Sequence, residues 1–310
     1  MTDTAAVESI TARVKAVYGS WRRDTTVAQM RADWDRLFSA TGDASIEPIE
    51  CGGVPCQWIA APGARADKVI VYLHGGGFQV GSLASHRQLM GMLSAATGVR
   101  VLGVGYRLAP EHRFPAALDD AVAVWQALLQ LGFSAADLAM AGDSAGGGLA
   151  LAAIASLLRK GQPAPAGAFV MSALTDLAAS GSSYEDRAHR DPIHQRPLIQ
   201  AMARVYLGAK GDPYNPLGSP IHTEPALLGA FPPVLLQVGE RETLVSDSQV
   251  LAIRLNDAGT KAELQIWPGM IHVFQQFPSE LPQAREALYA GGRFLAARLG
   301  VAPIEMKSST

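Results

Sequence analysis

The feature that most restricts this chain is a regular alternation that begins at Lys68. Short apolar runs rich in Val, Ile and Leu recur at residues 68–73, 100–106, 138–141, 168–172, 234–238 and 262–267. Stretches with apolar residues at steps of three and four accompany them at residues 85–97, 115–131, 145–160, 247–258 and 283–299. Several of the short runs are apolar throughout, as strands buried on both faces are. Alternating strands and helices of this kind predict a mostly parallel central sheet flanked by helices. The composition can supply such a core. Of the 310 residues, 48% are hydrophobic and 17% charged, which is too apolar for a disordered chain.

Three segments stand outside the alternation. In the first forty residues Val14, Val17, Tyr18 and Trp21, then Met30, Trp34, Leu37 and Phe38, repeat at helical spacing and predict two amphipathic helices. Residues 46–60, split by Gly52-Gly53, predict a β-hairpin. A four-residue loop would set Cys51 and Cys56 opposite each other. With no secretion signal they are expected to be small apolar residues beside a turn. The third segment is the interval of about sixty residues from 172 to 234, proline-rich and with one helix predicted over 197–207. So long a connection in a compact domain generally has a function. It is expected to join the N-terminal helices in a helical cap (residues 1–45 and 181–229) over a catalytic core (residues 46–180 and 230–310).

Formal net charge is −2, with Lys and Arg dispersed along the chain, so neither nucleic acid nor a membrane surface is an expected partner. The first residues carry Asp3 and Glu8 and lack the basic-then-apolar order of a signal peptide. No apolar run approaches the length of a membrane span. A cytoplasmic location is expected.

Gly142-Asp143-Ser144-Ala145-Gly146 lies between an apolar strand and an alanine-rich helix. A nucleophilic serine must hold its Oγ clear of the backbone. A sharp strand-to-helix turn does this, and glycine two positions to either side lets the chain pass without a Cβ clash. The helix N-terminus then offers free N–H groups to a developing oxyanion. Ordinary strand–helix packing through a glycine-rich turn is the bland alternative. His74-Gly75-Gly76-Gly77-Phe78 follows the first core strand. Three successive glycines surrender backbone entropy, which suits a loop whose N–H groups approach a ligand closely. With the N–H of Ala145 they would form an oxyanion hole. A phosphate-binding loop would need the Gly-Lys-Ser/Thr ending that is missing. His74 is expected to brace the loop.

A serine nucleophile needs a histidine base with an acid behind it. The strand–turn–helix setting of Ser144 is that of α/β-hydrolases, in which the chain order is serine, acid, histidine. Of His74, His86, His112, His189, His194, His222 and His272, the first three precede Ser144. The next three precede the strand whose loop should carry the acid. His272, in the loop beyond residues 262–267, remains.

Together with Tyr106-Arg107-Leu108-Ala109-Pro110-Glu111-His112-Arg113-Phe114-Pro115-Ala116-Ala117, Ser219-Pro220 and residues 267–274, these motifs make the chain resemble the bacterial branch of the hormone-sensitive-lipase family. The resemblance covers roughly residues 46–300. It implies an α/β-hydrolase with a helical cap, a carboxylesterase of short- to medium-chain acyl esters that uses neither cofactor nor metal. It implies Gly76, Gly77 and Ala145 as the oxyanion hole, and a structural role for Arg107 and Glu111. The acid follows from the same resemblance. Many relatives carry Asp-Pro-Leu where this chain reads Gly239-Glu240-Arg241-Glu242-Thr243-Leu244, and matching Leu244 to the family's leucine puts Glu242 at the aspartate, a position where some relatives also use glutamate. Glu240 lies too near the strand end, and Asp247 has the placing of a helix N-cap. Asp247 is the competing acid.

The expected reaction is two-step acyl transfer through an acyl-enzyme on Ser144, with His272 as base and Glu242 fixing its tautomer. The rate kcat/KM is expected to fall below roughly pH 6.5 as His272 is protonated. A lactone hydrolase with the same triad and a non-catalytic ligand receptor are the alternatives. Trp34, Phe38, Met202 and Tyr206 are expected to line an apolar pocket for a small-molecule ester. The strand Ala262–Trp267, last in the sheet of such proteins, is expected to pair across a two-fold axis in a homodimer.

Overall fold

A computed structural model of the chain describes residues 4–40 and 42–302. Residues 1–3 and 41 of the expected cap and 303–310 of the expected core lie outside them. The chain opens with two helices, α1 (Thr4–Ser20) and α2 (Val27–Leu37), and a hairpin of β1 (Ser45–Cys51) and β2 (Val54–Ala60). The alternating part follows: β3 (Arg65–Leu73), α3 (Arg87–Thr97), β4 (Val99–Val104), α4 (Ala116–Gln130), β5 (Leu138–Asp143), α5 (Ser144–Arg159) and β6 (Ala168–Met171). After the long interval, which holds α6 (Ser183–Asp186), α7 (Arg196–Leu207) and α8 (Pro225–Leu228), come β7 (Val234–Gly239), α9 (Val245–Asp257), β8 (Ala262–Trp267) and α10 (Pro282–Arg298).

The eight strands form one sheet in the order β1-β2-β4-β3-β5-β6-β7-β8. The pairs β1–β2 and β2–β4 are antiparallel, and the rest are parallel. The sheet is apolar on both sides because side chains alternate along each strand. In β3, Val69, Val71 and Leu73 join a cluster with α4, α5 and α9, while Ile70 and Tyr72 join another with α3 and α10. The first strand of the alternating part, β3, lies between β4 and β5. The loops that leave its carboxyl end and that of β5 therefore diverge side by side, which is where open α/β sheets bind their ligands.

The hairpin turn is shorter than the sequence suggested. Gly52 and Gly53 alone form it, both with positive φ (62° and 77°), the backbone of a two-residue turn matched to strand twist. Cys51 then pairs with Val54, and Cys56 with Ile49, so the two thiols are not opposite each other. Both are free and buried. Burial pushes both thiols up, Cys56 to about 12.

The N-terminal helices are bound to the far end of the chain. Val7, Ile10 and Val14 of α1 pack with Met270, Ile271, Phe274 and Phe277 beyond β8. Arg13 pairs with Glu280, and Glu8 with Arg241. From α2, Arg31 makes a two-pronged ion pair to Glu111 at 2.8 and 3.0 Å and donates to the carbonyls of Gln79 and Ala109. Arg107 grips Asp120 in the same loop region. Within the long interval, the turn Pro220–His222 and α8 pack on α5 and α9, at the side of the sheet. The edge strand β8 ends the sheet with Ile266 exposed. No helix among the described residues is long and apolar enough to cross a membrane.

Candidate active site

Ser144 begins α5 directly after β5, with φ of 50°, a left-handed backbone that a non-glycine residue adopts at a cost. Its Oγ lies 2.9 Å from Nε2 of His272, in the loop after β8. The other ring nitrogen, Nδ1, lies 2.7 Å from Oε2 of Glu242, in the loop after β7. Glu242 is fully buried. Its second oxygen, Oε1, accepts the N–H of Gly239 at 2.5 Å and the O–H of Ser172 at 2.7 Å. Burial opposes protonation of His272, but the charge and hydrogen bond of Glu242, with the charges of Asp191 and Asp143, outweigh it and raise its pKa.

The other acids weighed for this position go elsewhere. Glu240 accepts the N–H of Gly269 and pairs with Arg190. Asp247 sits in the first turn of α9, not at its N-cap, and accepts the N–H groups of Thr175 and Asp176. Ser172 had no signal in the sequence. Its φ is 48°, it is fully buried, and its one hydroxyl both donates to Glu242 and accepts the N–H of Val273 at 3.1 Å.

The glycine loop after β3 faces Ser144. Gly76 and Gly77 have positive φ (118° and 61°), and a Cβ on Gly76 would fall 2.1 Å from the carbonyl oxygen of Val80. The loop is held by Asp143, whose Oδ1 accepts the N–H of Gly75 at 2.9 Å and the O–H of Tyr72 at 2.6 Å. His74 donates from Nδ1 to the carbonyl of Gly75 and stacks on Tyr106 at 4.4 Å. Burial holds its pKa down at about 3, so it is a neutral brace. The N–H of Ala145, in the first turn of α5, has no intrahelical partner.

A second group of residues meets the site from the long interval. Asp191 accepts the N–H groups of Ile193 and His194 with one oxygen and that of Thr243, next to Glu242, with the other. The hydroxyl of Thr243 donates back to the carbonyl of His194. This clasp lays the His194 ring against that of His272, centroids 3.9 Å apart. Burial, then the neighbouring His272, pushes His194 down to about 3. Nothing in the sequence tied Asp191 to His272.

The cavity over Ser144, about 680 Å³ including space open to solvent, is lined by Gly76, Gly77 and His272 below and by α1, α2 and α7 above. Trp34, Phe38 and Met202 line it. Tyr206 does not. It follows Met202 by one helical turn on the apolar face of α7, but that turn lies over the glycine loop, where the Tyr206 ring stacks flat on Phe78 at 3.7 Å.

A family model described as the alpha/beta hydrolase fold matches residues 70–276. An acetyl-hydrolase of Streptomyces hygroscopicus is 38% identical over 90% of this chain and 92% of its own length. An esterase of Acinetobacter venetianus is 36% identical over 82% of each. The crystal structure of an esterase from the bacterial hormone-sensitive lipase family superposes with a TM-score of 0.92 at 38% identity, covering 97% of this chain and all of that one. A sheet of this order, a serine on the turn between β5 and α5, and relatives that match over most of their length lead to one conclusion: the chain belongs to the bacterial hormone-sensitive-lipase family of α/β-hydrolases.

Proposed function

We propose that this chain is a serine carboxylesterase that hydrolyses short- to medium-chain acyl esters through an acyl-enzyme intermediate. The carboxylic ester hydrolase class follows from the family and agrees with the names of both relatives. The observation that carries the mechanism is the unbroken relay from Ser144 Oγ to His272 Nε2 and from His272 Nδ1 to Glu242, at 2.9 and 2.7 Å.

Ser144 attacks the ester carbonyl while His272 Nε2 takes its proton. Glu242 keeps the ring's other proton on Nδ1 and stabilises the imidazolium. The negative charge that forms on the carbonyl oxygen is received by the N–H groups of Gly76, Gly77 and Ala145, each donor worth about 3 kcal/mol in such a hole. His272 then protonates the leaving alcohol, and in the second step it activates water against the acyl group. The enclosure of the cavity by α1, α2 and α7 supports the preference for acyl chains of modest length. Two buried free thiols suit a reducing compartment such as the cytoplasm. The open edge of β8 supports pairing of two copies, which a monomeric mass by light scattering at micromolar concentration would rule out.

The test of the mechanism is Ser144→Ala. Turnover of a short-chain ester should drop by roughly 10⁶-fold with the fold intact by circular dichroism, and an organophosphate should label only the native chain, at Ser144. Normal hydrolysis by the variant would overturn the mechanism.

A further inference from the structure

Two hydrogen bonds grip the His272 ring at its edge, at Nε2 with Ser144 and at Nδ1 with Glu242. The lone pair and the N–H bond of an imidazole lie in the plane of its ring. Such bonds fix two points and leave the ring free to tip about the line through its nitrogens. Tipping swings Nε2 out of line with the serine hydroxyl, so a base that must take and return a proton needs a contact on its face as well. The ring of His194 supplies one, with its centroid 3.9 Å away and its plane inclined by 43°.

His194 is itself held on several sides. Asp191 Oδ1 accepts its N–H at 2.8 Å, the Thr243 hydroxyl donates to its carbonyl, and Tyr18 of α1 meets its ring edge-on at 6.1 Å. Asp191 Oδ2 accepts the N–H of Thr243 at 2.9 Å, which closes the clasp. Thr243 follows Glu242, so one residue of this loop holds the edge of His272 and the next holds the residue against its face. Asp191 and Thr243 are both buried, and a buried carboxylate is costly even when its oxygens are bonded. Its charge also reaches His272. Burial opposes the imidazolium, and Glu242, then Asp191 and Asp143, outweigh that effect.

We propose that Asp191, His194 and Thr243 are positioning residues for the base: they stop the His272 ring from tipping and keep Nε2 aimed at Ser144 through both proton transfers. The inference rests on the serine-esterase reading and gives the segment after α6 a part in the chemistry as well as in the wall of the cavity.

The test measures kcat and KM for the acetate and butyrate esters of 4-nitrophenol, per active site titrated with an organophosphate, so that misfolded protein is not counted. His194→Ala removes the contact on the face and should lower kcat by roughly 10- to 100-fold, by the same factor for both esters. His194→Phe returns a flat ring without a titratable group and should recover most of that loss. Thr243→Val deletes the bond to the His194 carbonyl and should lower kcat by about fivefold. The charged and titratable groups around the His272 ring are Glu242, Asp191, Asp143 and His194, the last held neutral by burial. Asp191→Asn should therefore move the acid limb of kcat/KM to lower pH, and His194→Phe should leave it in place. A change in KM, or in the ratio between the two esters, with kcat unchanged in His194→Ala would make His194 a wall residue only and overturn the inference. A phenylalanine variant as slow as the alanine one would overturn it too. The His194 and Thr243 variants decide the matter should Asp191→Asn not fold. Ser144→Ala abolishes turnover whichever way these outcomes fall, so the esterase reading is tested separately.

Discussion

Below the cavity, the acid, the serine's neighbour and the residue behind the acid are held by hydrogen bonds, whereas the wall above is built from packed apolar and aromatic side chains. Glu242 has both oxygens occupied, Asp143 holds the glycine loop, and Ser172 ties the acid to the residue after His272. In that wall the side-chain atoms Trp34 Nε1, His194 Nδ1 and Gln276 Nε2 are buried without a hydrogen-bond partner among the described residues. The difference separates two tasks. Groups that must be in place before the reaction are fixed by the protein itself, since orientation supplied in advance costs nothing at the transition state. The wall that meets the substrate relies on the shape of packed side chains instead.

That contrast can be attacked most directly at the acid. Glu242→Gln should cost about 10⁴-fold in kcat, because the imidazole loses its tautomer and its orientation. Glu240→Gln and Asp247→Asn should cost far less, since one faces Arg190 and the other braces residues 175 and 176. An equal loss in either would dissolve the special standing of Glu242.

A smaller effect is expected one bond further out. Ser172→Ala removes a hydrogen bond to a carboxylate and strands the N–H of Val273, so kcat should fall by roughly 10- to 100-fold with KM little changed. Ser172→Gly relaxes the left-handed backbone but lacks the hydroxyl, and it should be as slow as the alanine variant. Recovery of activity in the glycine variant would mean that strain at Ser172, rather than its hydroxyl, matters.

The smallest effect is on pH. His272 must be neutral to accept a proton, and its pKa is raised by Glu242 against the pull of burial. Activity is therefore lost on acidification at a pH above the ordinary imidazole value of roughly 6.5, which moves the sequence-based expectation upward. An acid limb below that value in kcat/KM would show burial to be the stronger influence.

The two halves of the site also differ in how far the sequence disclosed them. The strands of the core appear within a few residues of their apolar runs, because burial on both faces forces near-continuous Val, Ile and Leu. Ser144 and the glycine loop carry local signatures, and chain order isolates His272. Glu242 needed the family resemblance, since three acids crowd the same loop. Ser172, Asp191 and His194 left no trace, because each matters only through a partner 52 to 101 positions away, or through a ring brought alongside by folding. Tyr206 was misplaced for a related reason. Periodicity identifies the apolar face of α7, but one turn of that face meets the cavity and the next meets Phe78. The hairpin was legible because Gly52-Gly53, which tolerate positive φ, mark its turn, and the cysteines flank it as small buried residues.

The attachment of α1 has a consequence for the order in which the protein is made. Val7, Ile10 and Val14 leave the ribosome some 260 positions before the surface they cover, from Met270 to Leu281, is synthesised. Arg13 waits 267 positions for Glu280. The apolar stripe of α1 is thus uncovered until those residues emerge, a period in which exposed apolar surface invites misassociation. One wall of the cavity closes only when the two ends of the chain meet, so a nascent chain that already holds Ser144 and its glycine loop has not yet acquired His272 or a finished pocket.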